Sequence, residues 1–228
     1  NTVVDQWEEL TFDFSGKIGE PSSTDITGFV VFPDFNDART GDNVVYFDNI
    51  TFNAVGAPPP PPPGSALVDF ETAGTGAGFT WAVFENDDNP PLEVVANPAP
   101  GGINSSATVG RFTARLAGQP FAGVETAHGD IGPITLNSSN SIVKIMVYKD
   151  VISDVGIKFA IANGGAQPEI KVPNTVVGQW EELTFDFTGY IGLPEAIDID
   201  QLIVFPDFQA RSTENVVYFD NITLSPNN

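Results

Sequence analysis

The chain has 228 residues, 41% of them apolar, no cysteine, and 30 acidic against 9 basic side chains, for a net charge of −21. That composition excludes a disulfide scaffold and a thiolate metal site. It also disfavours nucleic acid and anionic polysaccharide, whose binding needs Lys and Arg to replace counterions, and no apolar run reaches the roughly 18 residues of a membrane span, so a neutral partner remains.

The first words of the chain, NTVVDQWEELTFDF, return at 174–187 as NTVVGQWEELTFDF. Residues 1–35 align with 174–208 without a gap and agree at 24 of 35 positions; after a one-residue gap, 43–52 aligns with 215–224 at nine of ten. FPDF (32–35 and 205–208) and NVVYFDNIT (43–51 and 215–223) stand in both copies. Such self-similarity marks a repeat unit, here 173 residues long. Between the copies lies GAPPPPPPGS, residues 56–65, whose six prolines favour a stiff polyproline II spacer. The expected division is 1–54 as the C-terminal part of a first module, 55–65 as linker, and 66–226 as a complete module. Residues 1–54 lack the strands that precede their counterparts, so they are expected to need a missing half from an upstream piece or another chain. Asn1 is not a natural start, which leaves room for a secretion signal ahead of it.

From residue 66 onward the patterning predicts strands, with period-two alternation and no helical stripe. The candidates are 67–71, 78–85, 92–96, 109–116, 121–126, 141–149, 155–162, 167–172, 180–187, 199–205 and 215–224. In 141–149, Val143, Ile145 and Val147 share a face; in 180–187, Leu183, Phe185 and Phe187 oppose Trp180, Glu182, Thr184 and Asp186. Clusters such as NDDNPP, NPAPGGINSS and ANGGAQP separate them. Ten or more short strands in about 160 residues predict an all-β sandwich of jelly-roll type, galactose-binding-like in architecture.

Catalytic signatures are missing: there is no GxSxG, HExxH or P-loop, and with 30 acids, paired carboxylates arise by chance. The single histidine, His128, reads as a loop residue with a satisfied hydrogen bond or as a polar contact to a ligand. Aromatic rings carry more information, because sugars present flat C–H faces that stack on them while polar neighbours bond the hydroxyls. Trp81 and Phe84 adjoin a polar loop, and Phe121, Glu125 and His128 fall within eight residues. Trp81 reads equally as a core or rim ring and as a stacking platform. Trp180, out of phase with Leu183, reads as a cap on a sheet edge or as a ligand-facing ring, and Trp7 is its counterpart in the partial copy. Asp220 lies in phase with Val216, Tyr218 and Ile222, where a carboxylate needs pairing or a metal. Oxygen donors in an acidic chain suit Ca²⁺, with Glu71 as co-ligand if the first and last strands are neighbours; the alternative is an Asp220 bonded to backbone amides at a strand end.

VDFE, VVANPAPGGINSSATV, GQPFAGVET, WEELTFDF and VYFDNITL, in that order, resemble a family of β-jelly-roll carbohydrate-binding modules. These accompany polysaccharide-degrading enzymes and surface glycan-binding proteins of marine Bacteroidetes. The resemblance spans 66–226, with 1–54 matching its latter part. It implies a structural calcium on Glu71 and Asp220, with the GGIN turn (101–104) a source of backbone carbonyls. Phe121 stands where relatives often have Trp, the better platform.

The resulting expectation is a non-catalytic, secreted or surface module in tandem array with neighbouring repeats, binding a neutral polysaccharide. The best single candidate is a β-1,3-glucan such as laminarin. Trp81, Phe84 and Phe121 would stack, and Glu125 and His128 would bond hydroxyls. A local basic patch of Arg111, Arg115, Lys144 and Lys149 would override the charge argument. The alternative is a calcium-stiffened structural repeat of a surface adhesin or filament.

Overall fold

The computed structural model describes residues 66–227 throughout, and 3, 4, 6–12, 14, 29–34, 41, 43–48 and 50 before them. The expected linker 55–65 lies outside the described residues. The chain divides into two compact units, 1–57 and 58–228. None of the described residues of the first unit is in a strand or helix.

Among the described residues, ten strands build the second unit: β1 (Trp81–Phe84), β2 (Glu93–Ala96), β3 (Thr108–Ala114), β4 (Gly123–Thr126), β5 (Ile142–Lys149), β6 (Asp154–Ile161), β7 (Ile170–Pro173), β8 (Trp180–Asp186), β9 (Ile199–Phe208) and β10 (Asn215–Ser225). They form two five-stranded sheets, ordered β1-β4-β9-β6-β7 and β2-β3-β10-β5-β8, with every pairing antiparallel. Strands adjacent in sequence alternate between sheets in places, so non-consecutive strands become neighbours, as a jelly roll requires. The fold is the expected β-sandwich jelly roll.

Alternation decides what each sheet buries. Val143, Ile145 and Val147 of β5, Leu183 and Phe185 of β8, and Phe219 of β10 point inward from one sheet. Val124, Val155, Ile157, Phe159, Leu202 and Val204 meet them from the other. Each such side chain contributes about 1.5–3 kcal/mol on burial. The 67–71 segment forms only a bridge, Val68 to Ile222, beside the end of β10. That contact makes the first and last segments neighbours.

β10 departs from simple alternation. A register shift lies between Asp220 and Thr223, and Asn221 has φ 48°. The extra residue flips the phase. Ile222 therefore returns to the core, while Asp220 stays with Tyr218 on the outer side. The shared phase of Asp220 and Ile222 expected from sequence is broken by this bulge.

Candidate functional site

β1 shows how the outer faces are made. Trp81 and Phe84 are three residues apart on one strand, so they face opposite ways. Trp81 stands across from Thr126, and Val83 across from the buried core residue Val124. The Trp81 ring lies 5.5 Å from Phe70, 6.3 Å from Phe79 and 6.2 Å from Phe219, and its indole N–H donates to the Gly76 carbonyl at 2.8 Å. It packs at the core edge.

Phe84 is on the solvent side of the same sheet. It meets Phe205 edge-on at 5.7 Å, and Phe205 meets Phe208 at 5.5 Å. Two glycines make room for this row. A Cβ on Gly123 would stand 2.6 Å from Phe84 and 3.2 Å from Phe205, and one on Gly156 would stand 3.0 Å from Phe205. Lys171, across from Gly156, places its Nζ 4.2 Å from the centre of the Phe208 ring.

One row along, Glu125 and Lys158 are each the cross-strand partner of Ile203. With Phe84, Phe205 and Gln201 they line a groove of about 280 Å³ on the outer face of β1-β4-β9-β6-β7. Its floor is apolar (Ile203, Phe205, Ala160) and its rim carries one carboxylate, one ammonium and one amide. Lys158 has no ion-pair partner among the described residues.

Of the five residues expected to bind ligand, the groove brings together Phe84 and Glu125 only. Phe121 is 43% exposed in the turn before β4, where Ala122 N–H donates to the Gln119 carbonyl. His128 lies beyond the end of β4 with Nδ1 2.7 Å from Asp200 Oδ1. Neither lines the groove. Sequence reasoning missed Ile203, Phe205, Lys158 and Gln201. The signal was there: LIVF (202–205) is apolar on both faces of one strand, with Leu202 and Val204 in the main core and Ile203 and Phe205 in a smaller buried cluster on the opposite face. The same reading of GIKFAI turns Lys158 outward.

A second concavity, about 350 Å³, is lined by Glu85, Asn86, Asp87, Asp88 and Asn89 with Gln119. It holds carboxylates and amides but no ring, so it lacks a stacking surface.

The outer side of the other sheet is closed by the 97–104 loop. Trp180 Nε1 donates to Asn97 Oδ1 and to the Ala99 carbonyl, both at 3.1 Å, and the ring is buried. Trp180 is thus a cap. Beneath the same loop sits Asp220, fully buried. Its Oδ2 accepts from Asn104 Nδ2 at 3.0 Å and Asn221 Nδ2 at 3.1 Å, while its Oδ1 has no hydrogen-bond partner. Burial pushes its carboxyl up to about 7; Ser106, Asn221 and Asn104 oppose that rise, and the charge of Glu71 adds to it. Glu71 uses Oε1 to accept from the Ala107 and Thr108 amides at 2.6 and 3.0 Å. In the GGIN turn, Gly101 and Asn104 exchange backbone bonds at 2.8 and 3.2 Å. Among the described residues no three His, Cys, Asp or Glu side chains converge as a metal-binding group. The orphaned buried oxygen of Asp220 nonetheless fits a cation, and the carboxylate oxygens of Asp220 and Glu71 are hard donors of the kind that suit Ca²⁺.

The basic patch expected from sequence does not exist as free charge. Arg111 pairs with Glu93, Arg115 with Glu214 at 3.1 Å, and Lys144 with Glu182 at 2.8 Å. Lys149 is buried, bonded to the Ser153 hydroxyl at 2.5 Å and 3.9 Å from Asp207. Among the described residues no helix is long and apolar enough to cross a membrane.

No family model matches this chain, and no curated protein matches it in sequence. Solved structures share its fold. An exo-β-agarase aligns over 72% of this chain and 25% of its own, at 11% identity and a TM-score of 0.51. An arabinose-bound α-L-arabinofuranosidase aligns over 71% and 25%, at 12% identity and a TM-score of 0.50. A carbohydrate-binding module specific for non-crystalline cellulose aligns over 72% of this chain and 97% of its own, at 14% identity and a TM-score of 0.48. The likeness is one of β-sandwich fold. This chain spans about a quarter of the length of the agarase and the arabinofuranosidase.

Proposed function

We propose that residues 66–226 form a non-catalytic module that binds a neutral polysaccharide in the groove on the outer face of β1-β4-β9-β6-β7. The observation that carries this reading is the groove's composition: a floor of Ile203 and Phe205 walled by Phe84, with Glu125, Lys158 and Gln201 on the rim. Apolar C–H faces of a sugar would lie on Phe84, the half-buried ring above the buried Ile203 and Phe205, and its hydroxyls would bond the three polar groups. One positive and one negative charge leave the rim balanced although the chain is strongly acidic, which suits an uncharged ligand. A β-1,3-glucan such as laminarin is the best single candidate. The β-sandwich fold shared with parts of an agarase and an arabinofuranosidase agrees with a role beside polysaccharides.

Calcium on Asp220 and Glu71 would fasten the 97–107 segment to β10 on the opposite face, acting on stability and not on the sugar. A secreted or surface location, and linkage to neighbouring repeats that raise weak single-site affinity by avidity, complete the reading. The second reading, a structural repeat of an adhesin or filament, draws its support from the near-identity of 1–35 and 174–208.

Native affinity electrophoresis of the full chain tests both. Gels containing laminarin, agarose-derived glycan or alginate are run with calcium and with EDTA. Retardation by laminarin supports the neutral-glycan module; retardation by alginate alone contradicts it, and no retardation in any gel moves the account to the structural repeat.

A further inference from the structure

The outer face of β2-β3-β10-β5-β8 carries a row that the groove does not use. Glu93, Arg111, Tyr218, Tyr148 and Trp180 stand one per strand, each the cross-strand partner of the next. Alternation turns them away from the core, because their chain neighbours Phe112, Phe219 and Val147 point into it. The row thus holds an acid, a base and three aromatic rings. Tyr148 stands 5.8 Å from Trp180 and 5.9 Å from Tyr218, edge-on to both, at 64° and 80°.

The 97–104 loop closes one side of this row, where Ala99 and Ile103 pack on the cluster of Val109, Met146 and Trp180. The other side is open: Thr113 is the partner of Val216, which is 38% exposed. Tyr148 and Tyr218 are half-buried at this border. Among the described residues nothing bonds the Tyr148 hydroxyl. The charges here are balanced, Arg111 by Glu93 and Lys144 by Glu182 at 2.8 Å. Tyrosine rings with an unused hydroxyl and closed ion pairs suit an uncharged polyhydroxy ligand. Its C–H faces would meet the rings, and its hydroxyls would meet Tyr148, Arg111 and Glu93. Rings set edge-on form steps and not a plane, so they suit a single chain better than the flat face of a crystal. Polyproline segments dock on aromatic-lined grooves too. Here, however, the indole N–H that would meet a peptide carbonyl is spent on Asn97 and Ala99, and the Trp180 ring is buried.

We infer that Tyr148 and Tyr218 form a second sugar-binding surface, which takes one chain of a neutral polysaccharide on the face opposite the groove. Packed sheets lie about 10 Å apart, so one module would hold two chains back to back and cross-link them. The inference shares its ligand class with the groove reading and none of its residues.

The test titrates the ¹⁵N-labelled full chain, and its Tyr148→Ala, Tyr218→Ala and Phe84→Ala variants, with laminarihexaose. The parent should give two sets of saturable shifts, one in the groove and one at the amides of Arg111, Thr113, Tyr148, Val216 and Tyr218. Either tyrosine variant should weaken the second set about tenfold. The groove set should stay unchanged in both, which also reports that they are folded; Phe84→Ala should do the reverse. Long-chain laminarin should raise light scattering with the parent and with none of the variants. Groove shifts alone at saturation would overturn the inference and leave the groove reading standing. Shifts at the tyrosines alone would support it and count against the groove. No shift in either set would overturn both. A second set produced by a hexaproline peptide and not by laminarihexaose would overturn it as well.

Discussion

Glu125 and Lys158 face the solvent on either side of Ile203, because Ile203 is the cross-strand partner of both. An acid and a base thus flank an apolar floor whose far wall is Phe84. The pair brackets the sugar in the proposed complex, and the first prediction concerns charge. If the ligand is uncharged, its affinity should change less than about twofold between 0.01 M and 1 M ionic strength, roughly a 30 to 3 Å span of screening length. Isothermal titration at the two salts checks this; an affinity that collapses with salt points to an anionic ligand on Lys158 instead.

The two rings of β1 should separate binding from stability. Phe84→Ala is expected to weaken glycan binding about tenfold, near 1.4 kcal/mol, while leaving the module folded. Trp81→Ala is expected to cost roughly 3–5 kcal/mol of stability, since its ring packs on Phe70, Phe79 and Phe219. Titration and denaturant unfolding on both variants measure the contrast.

Asp220 should titrate against stability in the metal-free chain. Its folded carboxyl sits at about 7, above its ordinary 3.8. A raised acid favours the folded state at low pH and loses that contribution as pH rises through 7. Thermal unfolding in EDTA should therefore show a stabilising component on acidification toward pH 4 that Asp220→Asn removes. In calcium at pH 8 the same variant should lose the Tm gain that calcium gives the parent.

Lys149 should behave in the opposite sense to Asp220. Burial holds its ammonium down at about 8, with Asp207, Asp154 and Glu181 opposing. The unfolded chain then binds that proton more readily, so stability should rise between pH 8 and 10.5. Lys149→Met should flatten this rise. It should also lower absolute stability, because Ser153 and Asp207 lose a buried partner.

Much of this was legible in the sequence and some was not, for definite reasons. The sandwich follows from alternation in β5, β6 and β8, which needs no long-range knowledge. The opposite facing of Trp81 and Phe84 follows from their odd spacing, and grouping them as one platform overlooked it. Phe205 appeared only as part of the repeated FPDF, yet the two-sided apolar run before it marked a strand with a second face to cover. The β10 bulge was hidden, since nothing in VYFDNITL states that Asn221 adopts a left-handed conformation and returns Ile222 to the core. The neutralisation of Arg111, Arg115 and Lys144 depends on cross-strand and loop partners that only the assembled sheets supply.

The most direct test of the groove is chemical-shift mapping of the ¹⁵N-labelled full chain titrated with a laminarin oligosaccharide. The account predicts saturable shifts at the amides of Phe84, Gly123–Thr126, Gly156–Ala160 and Gln201–Phe205, with the 97–107 segment unmoved. Shifts confined to the Glu85–Asn89 loop, or to Tyr148 and Tyr218 on the opposite sheet, would contradict it.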